Sequence, residues 1–167
     1  SIGCTPNRES ENSKSSTLMA GMAKVNITPG TPIRMSGYGG RDEPFKGVHD
    51  SLFVTATVFF DGSVKSVIIT ADLIGFSHDF CKATIQKLVS STGIPERYIM
   101  LSANHNHGGP VNKTYSENVE PDIEKYVAEL QQKIVNVVNE ADNHLQPAMI
   151  GMDVGTCKMN INRRARF

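Results

Sequence analysis

The chain is 167 residues long, room for one domain, or one domain and a tail, and not comfortably two. Lysine plus arginine total 17 and aspartate plus glutamate total 17, so the formal charge is zero with histidine neutral; that balance argues against a basic nucleic-acid footprint or a polybasic membrane patch. Apolar residues make up 39%, below the usual ~45–50%, and no run approaches the ~20 apolar residues of a membrane span.

The apolar shortfall is local. Residues 1–17 hold only Ile2 and Cys4 from the apolar set, and 5–17 are rich in Ser, Asn, Glu and Lys. Such a stretch cannot bury enough surface to order itself, so 1–17 is expected to be a disordered tether. Ser1-Ile2-Gly3-Cys4 resembles the end of a bacterial lipobox, where the cysteine becomes lipidated. The expectation is an extracytoplasmic protein, anchored to the membrane through Cys4, in the periplasm or at the cell surface. The other reading of Cys4 is an incidental cysteine in a disordered end. Cys4, Cys81 and Cys157 are far apart and form none of the close pairs of zinc ribbons or redox motifs.

The globular part is expected over 18–167. Residues 20–28 alternate loosely and read as a strand stopped by Pro29-Gly30. Residues 31–44, with Pro32, Gly37, Gly39 and Gly40, read as a long, irregular but ordered loop. Residues 52–60 and 64–71 are β-branched and aromatic runs flanking Asp61-Gly62, the chemistry of a tight hairpin. Val67-Ile68-Ile69-Thr70-Ala71 reads as a central strand buried on both faces. Residues 77–91 form a helix pattern with Phe80, Cys81, Ile85, Leu88 and Val89 on one stripe, Cys81 being a buried small hydrophobe. Residues 98–102 are a short strand and 104–109 a polar loop.

Pro121 then opens the longest helix, with Asp122 and Glu124 in its first turn, where the positive helix end favours them. Ile123, Tyr126, Val127, Leu130, Ile134, Val137 and Val138 recur at helical spacing on one core-facing side. After Pro147, residues 148–158 read as a last strand. The fold class expected is α/β, with α+β open: a layered mixed sheet with two amphipathic helices.

Chemistry concentrates in Leu101-Ser102-Ala103-Asn104-His105-Asn106-His107-Gly108-Gly109-Pro110. In extended backbone, histidines at i and i+2 send both rings to the same side, a natural half-site for zinc. The spacing alone also fits two surface-loop imidazoles. A zinc site usually takes three protein groups, and the candidates to complete it are His49, His78, His144, Asp50 and Asp72. Asp72 ends the strand parallel in pattern to the one carrying the histidines, so it is either a partner behind the ligands or a turn residue. A complete site from His105, His107 and Asp72 needs all three within ~2.0–2.2 Å of one ion. Asn160-Ile161-Asn162-Arg163-Arg164-Ala165-Arg166 is either a solvated basic tail or a source of arginines for an oxyanion.

The ordered motifs of the chain resemble those of neutral, non-lysosomal ceramidases and their bacterial relatives. They are Ala20-Gly21-Met22-Ala23-Lys24-Val25-Asn26-Ile27-Thr28-Pro29, Gly37-Tyr38-Gly39, Gly47-Val48-His49-Asp50, Thr70-Ala71-Asp72-Leu73, the histidine segment and Asn160-Ile161-Asn162-Arg163. The resemblance implies zinc-dependent hydrolysis of the amide bond of N-acyl sphingosines or a related lipid. It implies His105 as a zinc ligand, and His107 and Arg163 as groups facing substrate in the same pocket. The family's His-Thr-His-Ser/Ala-Gly-Pro reads His105-Asn106-His107-Gly108-Gly109-Pro110 here, and Arg164 stands where animal enzymes have serine; the substrate need not be ceramide. The family's remaining zinc ligands and its catalytic serine lie beyond the Asn-x-Asn-Arg motif. The expectation is therefore an N-terminal part of the catalytic domain with an incomplete zinc site. The reading from another class is a non-enzymatic cell-surface interaction module.

Overall fold

The computed structural model describes residues 17–39, 41–112 and 120–159. Five strands and two helices follow in the order β1 (Met19–Asn26), β2 (Phe53–Phe60), β3 (Lys65–Ala71), α1 (His78–Thr92), β4 (Ile99–Ala103), α2 (Pro121–Asn143) and β5 (Gln146–Pro147). The sheet order is β4-β3-β2-β1-β5. All neighbouring strands are antiparallel except β3 and β4, which run parallel with α1 between them. This is the layered mixed sheet with two helices that the pattern predicts.

The β2–β3 hairpin forms, with a four-residue connection between Phe60 and its partner Lys65. The Asp61 carboxylate accepts from the backbone N–H of Ser63 (2.8 Å) and Val64 (2.7 Å), an Asx turn that closes the loop. Those two donors also hold the exposed Asp61 carboxyl below its ordinary pKa.

Both ends of α1 are capped. Ser77 Oγ accepts from Phe80 N–H, and Gly93 ends the helix in the left-handed region. Its buried line is Phe80, Thr84 and Leu88; Phe80 and Leu88 belong to the predicted stripe, while Cys81 and Ile85 of that stripe are half-buried and Val89 is exposed. Thr84 is tolerated there because its hydroxyl donates to the Phe80 carbonyl (2.7 Å) and accepts from Gln131 of α2 (3.1 Å).

α2 buries Ile123, Tyr126, Leu130, Ile134, Val135, Val137, Val138 and Ala141, close to the predicted face. It lies across β1 and β2. A Cβ on Gly21 of β1 would sit 2.1 Å from the Ala141 carbonyl oxygen, so a glycine is what lets this helix seat on the strand.

Both helices cover one face. On it lie Ala23, Val54, Ala56, Val58, Val67, Ile69 and Ala71, all buried. The other face is open among the described residues. Met22, Thr57, Ile68 and Met100 are cross-strand neighbours there, and Met22, Ile68 and Met100 are exposed. β3 is thus buried on one face, not both: the continuous Val67-Ile68-Ile69 run has a helix layer on one side only. The predicted strand over 148–158 is corrected too. β5 ends at Pro147, and among the described residues 148–159 has no neighbour to complete a ladder beyond the Ala148 N–H to Leu18 carbonyl bond.

Candidate functional site

β3 and β4 end side by side, Ala71 opposite Ala103, so the loops leaving them share one edge of the sheet. β3 and β4 are the parallel pair, and loops at the C-terminal ends of parallel strands are where open α/β sheets place ligands. Asp72 and Asn104, the first residues beyond the strands, tie them together. Asp72 Oδ2 accepts from Phe53 N–H (2.8 Å), and Oδ1 accepts from the Asn104 amide (2.7 Å). The Asn104 N–H donates to the Ala71 carbonyl (3.1 Å). Asp72 therefore anchors the histidine loop through Asn104, with both carboxylate oxygens so engaged.

The next residue turns sharply. His105 has φ +59°, in the left-handed region, so the extended backbone predicted for the His-x-His is not what forms. The turn instead places the His105 and His107 rings 5.4 Å apart at 61°. Asn106 stabilises it: its N–H donates to the Leu73 carbonyl (3.3 Å), its amide donates to Asn104 Oδ1 (3.1 Å), and its Oδ1 accepts from Gly108 N–H (3.0 Å).

His105 Nδ1 lies 2.8 Å from the Ile74 carbonyl oxygen. A carbonyl only accepts, so Nδ1 carries the proton and donates, which leaves the Nε2 lone pair open on an exposed ring. This is the arrangement that orients a metal-binding imidazole through its second nitrogen.

His107 is held differently. Gly37, at φ +83°, lies so close that a Cβ there would fall 2.4 Å from His107 Cγ. The Tyr38 ring, itself at φ +52°, meets the imidazole edge-on at 5.1 Å. Arg41 Nη1 donates to the His107 carbonyl (2.9 Å). Ser36 N–H and Oγ donate to the Gly109 and Pro110 carbonyls (2.9 and 3.0 Å), and Val111 N–H to the Arg34 carbonyl (2.9 Å). The irregular glycine-rich loop is thus a clamp on the histidine turn. Sequence reasoning did not assign Gly37, Tyr38 and Arg41 to His107, nor the Ile74 carbonyl to His105. The Gly37-Tyr38-Gly39 motif was the available signal.

The other candidates are elsewhere. His49 pairs with Asp50 (2.8 Å), both exposed, at the rim of a neighbouring cavity. His78 opens α1 and His144 follows α2. Among the described residues no group of three His, Cys, Asp or Glu side chains gathers to hold a metal, so a complete site from His105, His107 and Asp72 is not formed. Arg163, Asn160, Asn162, Arg164 and Cys4 lie outside the described residues. The described donors offer one well-oriented imidazole and its neighbour, which fits part of a zinc site.

No protein-family model matches the chain. Its fold is similar to that of the neutral ceramidase from Pseudomonas aeruginosa, with a TM-score of 0.68 and 22% identity over 78% of this chain and 22% of that chain. It is similar also to a ceramidase complexed with C2, with a TM-score of 0.67, 22% identity and the same coverage. At that identity the likeness establishes fold, and it agrees with the resemblance read from the motifs. The chain has the fold of a ceramidase segment and spans 22% of the length of the solved structures it matches.

Proposed function

We propose that this chain is the N-terminal part, over 18–167, of a ceramidase-like, zinc-dependent amidohydrolase acting on N-acyl sphingosines or related lipid amides. The observation that carries the proposal is the His105 Nδ1 to Ile74 carbonyl bond, which leaves Nε2 open beside His107. In this reading His105 holds zinc, and His107 and Arg163 face the substrate. A bound zinc ion would polarise the amide carbonyl and acidify a bound water. His107, immobilised by Gly37, Tyr38 and Arg41, supplies a hydrogen bond to the oxygen that gains charge as water adds to the carbonyl carbon. Residues 1–17 serve as a tether lipidated at Cys4, outside the cytoplasm.

Calorimetric zinc titration tests the reading on this chain and on a polypeptide of ceramidase length that contains it. Weak binding here, lost in His105→Ala, and tight binding with chelator-sensitive hydrolysis of an N-acyl sphingosine by the longer chain are expected. No zinc binding by either would overturn the hydrolase reading and favour an interaction module.

A further inference from the structure

Two polar side chains are buried among the described residues, Thr84 and Asn112, the latter 2% exposed. Asn112 Nδ2 lies 2.7 Å from the Gly75 carbonyl oxygen. A carbonyl only accepts, so the amide NH2 faces it and donates. Oδ1 is buried too and has no partner among the described residues. At such burial an amide is less favourable than an apolar side chain of its size unless its hydrogen bonds offset the cost. Filling volume therefore does not explain an asparagine here; the bond to Gly75 does.

The Gly75 carbonyl is next in the chain to that of Ile74, which accepts from His105 Nδ1. On either side the backbone is anchored by its own side chains. Leu73 is fully buried, and Phe76 packs on the core and stacks on Phe80 at 5.3 Å. Between them Gly75 has no side chain to hold it, and among the described residues neither the Ile74 nor the Gly75 carbonyl accepts from a backbone N–H. Each is held instead by a side chain from across the site, His105 on the one and Asn112 on the other. Asn112 reaches out from a fixed point. Met35 bridges Pro110, and Val111 N–H donates to the Arg34 carbonyl (2.9 Å), so its backbone continues the clamp that grips His107.

We infer that Asn112 is a positioning residue for His105: from the clamp, it holds the Gly75 carbonyl and so keeps the Ile74 carbonyl where His105 Nδ1–H donates to it. One buried amide thus ties the support of one histidine to that of the other. The inference rests on the hydrolase reading only for its consequence, a His105 Nε2 kept open for zinc.

The test is a long-range proton–nitrogen spectrum of the 167-residue chain at mildly alkaline pH with chelator present, which reads the two neutral tautomers of each histidine ring. Asn112→Leu, which keeps the volume and removes the amide, lowers the Nδ1–H to Nε2–H ratio of His105 about fivefold, the scale of one lost hydrogen bond. Thr84→Val is the control: it removes the other buried polar group, lowers the urea midpoint and leaves the His105 ratio within about twofold. An unchanged ratio in Asn112→Leu, or an equal fall in Thr84→Val, would overturn the inference. A second measurement needs no variant. The side-chain amide protons of Asn112 exchange with water at least about tenfold more slowly than those of exposed Asn143; equal exchange would overturn the inference even where Asn112→Leu does not fold. Zinc titration of the same samples keeps the two readings apart. The tautomer change without zinc affinity sinks the hydrolase reading alone, and zinc binding with a ratio indifferent to Asn112→Leu sinks this one alone.

Discussion

Replacing Gly37 by alanine perturbs the candidate site at the point where the backbone meets the His107 ring. The added Cβ would lie 2.4 Å from His107 Cγ, 2.6 Å from its Cβ and 2.8 Å from Nδ1. Ordinary carbon contacts lie at roughly 3.5–4.0 Å, so the ring must move by about an ångström. It has little room, because Tyr38 packs on its edge and Arg41 holds its carbonyl. The left-handed backbone at φ +83° adds a cost of ~1–2 kcal/mol for a residue with a Cβ. Overpacking adds ~1–3 kcal/mol, so partial relaxation leaves about 2–4 kcal/mol in all. Urea unfolding followed by circular dichroism reads that loss, and the His107 ring resonances report the displacement. Gly39→Ala is the internal control, since its Cβ meets nothing within 4 Å. If Gly37→Ala unfolds at the same urea midpoint as the unmodified chain with His107 unmoved, the clamp does not position the ring.

Three further outcomes follow from the packing. Gly21→Ala drives a Cβ into the Ala141 carbonyl oxygen, a backbone atom that cannot turn aside; a loss of more than ~2 kcal/mol is expected in the same unfolding assay. Asp72→Ala removes the acceptor for Phe53 N–H and the Asn104 amide; a loss of about 2 kcal/mol, with faster amide exchange at Asn104 and Asn106, is the predicted signature. Tyr126 donates to the Ile27 carbonyl (3.0 Å), and burial pushes its phenol well above its ordinary 10.0. The folded state therefore keeps this proton when the unfolded chain loses it, so stability holds below pH 10.0 and falls as the pH climbs beyond it. Tyr126→Phe should cost about 1 kcal/mol at neutral pH and flatten that alkaline decline in urea melts.

How much of this was legible in the chain depended on the range of the cause. The α2 face was readable because helical spacing and burial are both local, and only Val127 among the predicted positions is less than fully buried. The hairpin was readable from Asp61-Gly62. Ile68 was misjudged because a continuous apolar run does not reveal which faces are covered; that depends on where α1 and α2 land. Residues 148–158 carry strand chemistry, yet a ladder needs a neighbour, and none is present past Pro147 among the described residues. The His-x-His was found, but not its geometry. A left-handed His105 is rare for a residue with a side chain, and its cause lies in the Ile74 carbonyl and the Asp72–Asn104 tie, thirty-odd positions upstream. Likewise the clamp on His107 is more than sixty residues away in sequence, beyond any local pattern.

The central claim is that Ile74 fixes the tautomer of His105 and leaves Nε2 for a metal. A long-range proton–nitrogen spectrum of the histidine rings, recorded at mildly alkaline pH and then titrated with zinc, tests it directly. The account predicts a His105 ring protonated at Nδ1, with zinc shifting Nε2 and leaving His78 and His144 unmoved. A His105 ring protonated at Nε2, indifferent to zinc, would contradict it.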